Sequence, residues 1–328
     1  MPHDAMLEKR AYAESLNGRN TGFHDGEVYQ YVKLLNPDVQ ERNRTMIMKF
    51  EGIYMNAMVY VNGQLAAKCP YGYTGFYVPL NDYLKYGEEN ELRVIVRNSA
   101  MTNSRWYSGG GIYRDVYLLT AGETFIEPEG VRVTTEHLYS ESAVVKIGTA
   151  LKNRSSCYKE LRLVTEILDQ NGRIVASDKI PITLFEGEQR SITSRVVVNE
   201  PSLWSAEAPY LYSVYSKLYE NNELLDENME TFGIRTLSVD PKHGFRVNGK
   251  MVKFRGACIH HDSGILGAAI FYDAEYRRVR MLKEAGFNAV RMSYHPMAPV
   301  LLRACDELGM YVMDEAFDMW QRCKSDHD

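Results

Sequence analysis

The sequence predicts a multidomain, mainly β protein whose last quarter turns into a parallel β/α series. Three observations predict it. Apolar and polar residues alternate with a period of two from about residue 45 to 239, the spacing of half-buried strands. Turn dipeptides punctuate that alternation at Asn62-Gly63, Ala121-Gly122, Asn171-Gly172 and Asn248-Gly249. Helical periodicity enters only after Asp240-Pro241, and there it alternates with short apolar strands.

The first third reads as a β-sandwich. In "TMIMKFE", Met46, Met48 and Phe50 share one face, with Thr45, Ile47 and Lys49 on the other. "NAMVYVNGQLAA" puts Ala57, Val59 and Val61 on one face and runs into the Asn62-Gly63 hairpin turn. "NELRVIVRN" repeats the pattern with Leu92, Val94 and Val96, and "GIYRDVYLLT" supplies a further strand. From about 125 to 239 come roughly seven more short strands, the rhythm of an immunoglobulin-like sandwich without a disulfide. A short hairpin, "FRVNGKMVKF", then leads into two helices. "YDAEYRRVRMLKEAG" offers Asp273 as N-cap, an apolar side of Tyr276, Val279, Leu282 and Ala285, and Gly286 as a stop. "APVLLRACDELG" starts with Pro299 in the first turn and carries Leu301, Leu302, Cys305 and Leu308 as a stripe that ends at Gly309. The strands "FNAVRMS" and "MYVMDE" follow these helices, so strand, helix, strand, helix and strand form a parallel series.

Bulk properties narrow the function classes. The 328 residues suffice for two or three domains, and 45% apolar with 25% charged residues is ordinary globular composition. The net charge of −5 argues against a nucleic-acid partner, which would bring a basic stripe. Tyrosine is abundant, 23 against 11 phenylalanines, which suits β-rich folds and sugar-stacking surfaces alike. The five cysteines, Cys69, Cys157, Cys258, Cys305 and Cys323, are odd in number and none has CxxC spacing, so neither a disulfide framework nor a zinc site is signalled. No charged-then-apolar leader and no run of about 18 apolar residues is present, so the expectation is a soluble, cytoplasmic chain with no membrane partner.

Chemistry-bearing residues gather where the three parallel strands end. In a β/α barrel that is the working face. The first strand runs into His260, His261 and Asp262; the second carries Arg291 and ends at Ser293, Tyr294, His295 and Pro296; the third ends at Asp314 and Glu315. Each position alone is more often a turn former or solvated loop residue than a functional one. Three consecutive strands delivering polar groups to one rim are harder to dismiss. The triplet 260–262 has the residue types of a metal set, but adjacent ligands are poor zinc spacing, so no metal and no cofactor are expected. Arg291 is either a structural ion-pair partner or the cation that holds a functional carboxylate. Asp314 and Glu315 cannot themselves be a glycosidase pair. Neighbours on a strand point to opposite faces, whereas such a pair must flank one bond, about 5–5.5 Å apart for retention.

Three motifs, "NSRWYSGGGIYRDVYL" (103–118), "RGACIHHDSGILGAA" (255–269) and "NAVRMSYHP...LLRACDELGMYVMDEAFDMW" (288–320), together resemble glycoside hydrolase family 2. The resemblance spans nearly the whole chain and is strongest to bacterial β-galactosidases, with β-glucuronidases and β-mannosidases in the same family. It implies a jelly-roll sugar-binding sandwich over 1–122, an immunoglobulin-like sandwich over 123–238, and the first three βα units of an incomplete (β/α)8 TIM barrel over 239–328. It also implies a retaining exo-β-glycosidase acting on a β-linked oligosaccharide or glycoside. Its acid/base and nucleophile glutamates sit at the ends of barrel strands four and seven. A barrel takes about 250 residues, and the stretch 236–328 holds three strands, so the chain is expected to be a fragment carrying no catalytic residue. "MPHDAM" resembles the family's Pro-His-Asp segment, which earlier strands normally precede; without them the sandwich would have an unpaired edge.

Residue by residue, the resemblance makes His260 the histidine that contacts the sugar in the −1 subsite, joined by Asp262, and Arg291 the arginine that orients the nucleophile. His261, Asp314 and Glu315 complete the candidate substrate-binding rim. The chain departs from the family at Ser293-Tyr294-His295-Pro296, where the histidine falls one place late, so Tyr294 or a shifted His295 takes the sugar contact. Where magnesium-dependent members carry a ligand glutamate, this chain has Phe317-Asp318-Met319, so that metal site is not expected. Two other readings stay open: a stand-alone carbohydrate-binding module using Trp106, Tyr107 and the glycines at 109–111, against which Trp106 as a core residue weighs more; and assembly into a homo-oligomer.

Overall fold

A computed structural model describes residues 2–99 and 106–318 of the chain. Residues 103–105 of the first motif, Met319 and Trp320 of the third, and Cys323 lie outside the described residues. The chain divides into two compact units, one made of 1–120, 255–305 and 310–328, the other of 121–254 and 306–309.

In the first unit two antiparallel sheets face one another. Strands β1 (Val28–Leu35), β2 (Thr45–Phe50), β3 (Ala57–Val61), β4 (Gln64–Cys69), β5 (Phe76–Pro79), β6 (Asn90–Arg97) and β7 (Val116–Ala121) arrange as β1-β6-β3-β4 and β5-β2-β7. The alternation read from the sequence is the alternation of burial. Met46, Met48 and Phe50, Ala57, Val59 and Val61, and Leu92, Val94 and Val96 are all at most 5% exposed and form one core with Ile53, Val78 and Leu80. Each such large side chain contributes about 1.5–3 kcal/mol when taken from water. The β3–β4 hairpin turns at Asn62 (φ 51°) and Gly63 (φ 78°), with Val61 opposite Gln64, the primed turn that a two-residue Asn-Gly loop favours. Strand β1 escapes the sequence reading because its polarity is inverted: Val28 and Val32 face outward, while Tyr29 and Tyr31 pack on the core.

The second unit contains β8 (Thr124–Leu138), β9 (Ser142–Asn153), β10 (Lys159–Leu168), β11 (Ile174–Leu184), β12 (Gln189–Asn199), β13 (Tyr212–Glu220) and β14 (Glu223–Phe232), arranged as β12-β9-β8 and β11-β10-β13-β14. These are seven strands in two antiparallel sheets, the immunoglobulin-like arrangement. Its core holds two hydroxyl pairs among the aliphatics, Thr149–Ser216 at 3.2 Å and Thr165–Ser194 at 3.4 Å. The meander β15 (Leu237–Asp240), β16 (Gly244–Val247) and β17 (Lys250–Met251) belongs to this unit and turns at Asn248-Gly249.

The first unit resumes with β18 (Gly256–Ile259), helix α1 (Tyr272–Glu284), β19 (Ala289–Met292), helix α2 (Pro299–Leu308) and β20 (Tyr311–Met313). The three strands are parallel and adjacent in chain order, with Cys258 opposite Arg291 and Arg291 opposite Met313. Two details of α1 differ from the sequence reading. Its N-cap position is Phe271, and Asp273 lies inside the first turn, where its charge still suits the helix dipole. The buried positions are Glu275 and Val279, while Ala285 is exposed: a carboxylate occupies the stripe assigned to apolar residues. Helix α2 begins at Pro299 and buries Leu301 and Cys305 as anticipated. Among the described residues no helix is long and apolar enough to cross a membrane.

Candidate functional site

Glu315, just beyond β20, is held from two sides. Its Oε1 accepts from Arg291 Nε at 2.6 Å and lies 2.6 Å from Nη2, and its Oε2 accepts from the Tyr294 backbone N–H at 2.7 Å. Burial alone would raise the carboxyl; the Tyr294 amide and then the Arg291 guanidinium outweigh it and hold Glu315 below the usual range. Tyr294 itself adopts φ 74°, a left-handed conformation unfavourable for a bulky residue. Asp314 faces the other way, accepting from the Met297 amide, and burial raises its carboxyl. The two neighbouring acids, both past the end of β20, therefore turn to different partners.

Tyr294 also completes an aromatic wall. The rings of His260 and Tyr294 each stack on Trp106 with centroids 5.1 Å away and interplanar angles of 17° and 15°. Their own separation of 6.0 Å is too short for opposite faces, so both lie against one face of the indole. Trp106 is 8% exposed and donates from Nε1 to Tyr73 Oη at 3.1 Å. His260 is partly exposed, and burial lowers its pKa against the opposing pull of Asp262. Cation and ring meet as well, with Arg291 Cζ 5.5 Å from the Tyr294 centroid.

His261 and His295 need correcting as sugar contacts. Both are 0% exposed. His261 Nε2 lies 2.8 Å from the Ser108 carbonyl, an acceptor only, so Nε2 carries the proton and Nδ1 is left to accept from His295 Nε2 at 3.2 Å. This chain of neutral rings agrees with burial, which pushes His261 well below its ordinary value and His295 down to about 4. His295 further stacks on Tyr73 at 4.1 Å and 7°. The pair supports the wall from behind and offers no atom to a ligand. Asp262 is exposed, and its backbone carbonyl, with that of His260, is tied to Arg278.

The sequence reading passed over the residues on which this arrangement rests. Asp4, 5% exposed, accepts four hydrogen bonds: from the Met6, Gly110 and Ala268 backbone N–H groups and the Tyr107 hydroxyl. It ties the N-terminal segment to the glycine run and to the loop after β18. Arg114, 2% exposed, donates to the carbonyls of Glu51, Tyr73 and Pro296. Tyr71 donates to the Ala316 carbonyl at 2.8 Å. The glycine run is a packing device: a Cβ on Gly109 would stand 2.3 Å from Ala268 Cβ, and one on Gly111 2.2 Å from Tyr31 Oη. The only available signal was the Pro-His-Asp tripeptide beside that run, since a buried acid needs several donors.

Residues 124–235 match the model described as glycosyl hydrolases family 2, and residues 239–324 that of the family 2 TIM barrel domain. A β-galactosidase of Bacteroides ovatus is 39% identical over 328 residues, all of this chain and 38% of that protein. A putative β-glucuronidase of Formosa agariphila is 33% identical over 322 residues, covering 98% of this chain and 30% of its own length. The crystal structure of a glycosyl hydrolase family 2 member from Bacteroides cellulosilyticus superposes with a TM-score of 0.96 at 38% identity, covering 100% of this chain and 43% of that one. The chain therefore spans well under half the length of the relatives it matches.

Proposed function

We propose, from the premise that this chain belongs to glycoside hydrolase family 2, that it forms the sugar-facing N-terminal portion of a retaining exo-β-glycosidase whose substrates are terminal β-galactosides. The observation that carries this reading is the wall of His260 and Tyr294 on Trp106 beside the Arg291–Glu315 pair, at the C-terminal ends of parallel strands, where β/α barrels keep their sites. A ring face and a fixed acceptor are what an uncharged pyranose needs: stacking for its C–H face, a hydrogen-bond acceptor for its hydroxyls. The 39% identity to a β-galactosidase, against 33% to a putative β-glucuronidase, favours the galactoside.

By itself the chain binds and does not cleave. The acids on its rim, Asp314 and Glu315, turn to different partners and so do not flank one bond. Nitrophenyl β-galactoside, β-glucuronide and β-mannoside are the test. No turnover above the buffer blank is expected, and sustained release of nitrophenol by the purified chain defeats the proposal. Calorimetry with methyl β-galactoside should give millimolar or tighter binding, weaker with methyl β-glucuronide; equal or reversed preference removes the galactoside assignment.

A further inference from the structure

The face of β18 turned toward the rim carries a thiol that the sugar reading does not use. Cys258 is exposed and stands opposite Arg291 in the β18–β19 register. Arg291 spends Nε and Nη2 on Glu315, and its Nη1 lies 3.5 Å from Cys258 Sγ. Ser293 approaches from the end of β19. It is 2% exposed, and its Oγ makes no hydrogen bond. A buried hydroxyl without an acceptor is costly, and an ionised sulfur would supply one. The guanidinium faces the sulfur directly, and an unpaired hydroxyl is available from the end of β19, a setting that favours negative charge. The charged groups facing it are Arg291, which favours the thiolate, and Glu315, which opposes it. The net effect, led by Ser293 and then Arg291, holds the Cys258 thiol below its ordinary value. Of the other described cysteines, Cys305 is 1% exposed, burial pushes Cys69 up, and exposed Cys157 has the Ser155 hydroxyl 3.8 Å from its sulfur.

We propose that Cys258, faced by the Arg291 guanidinium and the Ser293 hydroxyl, is a covalent modification site for soft alkylating electrophiles. The thiol releases its proton to solvent, the sulfur lone pair forms a bond to the electrophilic carbon, and the halide departs with the electrons of the carbon–halogen bond. Accessible thiols beside a cation react in this way, whereas thiols buried in apolar surroundings do not.

Limiting iodoacetamide on the intact chain between pH 6 and 9.5, with peptide mass spectrometry at each cysteine, tests this. Cys258 should react about threefold or more faster than exposed Cys157 at pH 7, an advantage moderated by the lower nucleophilicity of a more acidic thiol. Its rate should rise at a lower pH than that of Cys157. Ser293→Ala should bring both quantities toward those of Cys157. Unfolding the wild-type chain in urea should erase the difference without any substitution. Equal or slower reaction of Cys258 in the native chain, or an advantage that survives in urea, overturns the proposal.

Discussion

Removing the Asp4 carboxylate should be among the most damaging single changes in this chain. Asp4→Ala leaves four donors without an acceptor in a site where Asp4 itself is 5% exposed: three backbone N–H groups at 2.7–3.1 Å and the Tyr107 hydroxyl at 2.7 Å. At roughly 1 kcal/mol for each orphaned buried donor, after the relief from no longer burying a charge, the loss is about 4 kcal/mol. That is a large fraction of the ~5–15 kcal/mol by which domains are stable. Asp4→Asn separates the contributions. The amide keeps one accepting oxygen and turns an NH2 toward the other two donors, so about half the cost, ~2 kcal/mol, is expected. In urea, with a slope of about 2–3 kcal/mol/M, the Ala variant should lower the midpoint of the first unit by ~1.5–2 M and the Asn variant by about half that. Calorimetry should show a matching fall of about 10 °C in that transition. Fluorescence and circular dichroism along the urea series supply the measurement. An Ala variant within about 1 kcal/mol of wild type would refute the reasoning, because the network would then be geometry without energy.

Three further outcomes are expected. His295 titrates at about 4 when folded, against an ordinary value near 6.5. Its contribution to stability is therefore whole above pH 6.5 and lost as pH falls toward 4, reaching about 2.5 kcal/mol at pH 4.5. The wild-type urea midpoint should fall more steeply over that window than that of His295→Gln, and parallel curves would refute the assignment. Glu315→Gln removes a partly exposed ion pair, so its stability cost should stay within about 1 kcal/mol, while methyl β-galactoside binding measured by calorimetry should weaken at least about tenfold, because the charge is lost and one accepting oxygen becomes an NH2; unchanged affinity would take Glu315 out of the site. In the second unit, Thr149→Val should cost about 1 kcal/mol by orphaning the Ser216 hydroxyl 3.2 Å away, and the double variant Thr149→Val/Ser216→Ala should recover most of it. A double-mutant cycle with no coupling would contradict that.

Strand positions were legible from sequence wherever one face of a strand is apolar and the other wet. β2, β3 and β6 bury the residues their alternation marks, because a period of two leaves no other face to bury. β1 was not legible, since its inward residues are tyrosines and its outward ones valines, and hydropathy alone assigns those in reverse. Glu275 in the buried stripe of α1 misled for a related reason: burial raises its carboxyl, and the nearby cations Arg278, with Nη2 3.6 Å from Oε1, and Arg114 oppose that. The motif residues reached the rim, but motif spacing could not separate His260, which faces the wall, from His261, which faces a carbonyl 153 positions away.

The sequence by itself determined the order of the elements, the faces the strands bury, and the family to which the chain belongs. Each of these follows from local periodicity or from contiguous motifs, which act over a few residues. Only the tertiary structure decided which polar groups are enclosed and which are offered: that Arg291 closes on Glu315, that two histidines hold each other neutral behind the wall, and that Asp4 ties three segments together. Those outcomes depend on donors and acceptors brought from distant parts of the chain, and desolvation, which sets their cost and their charge, exists only once the chain has packed.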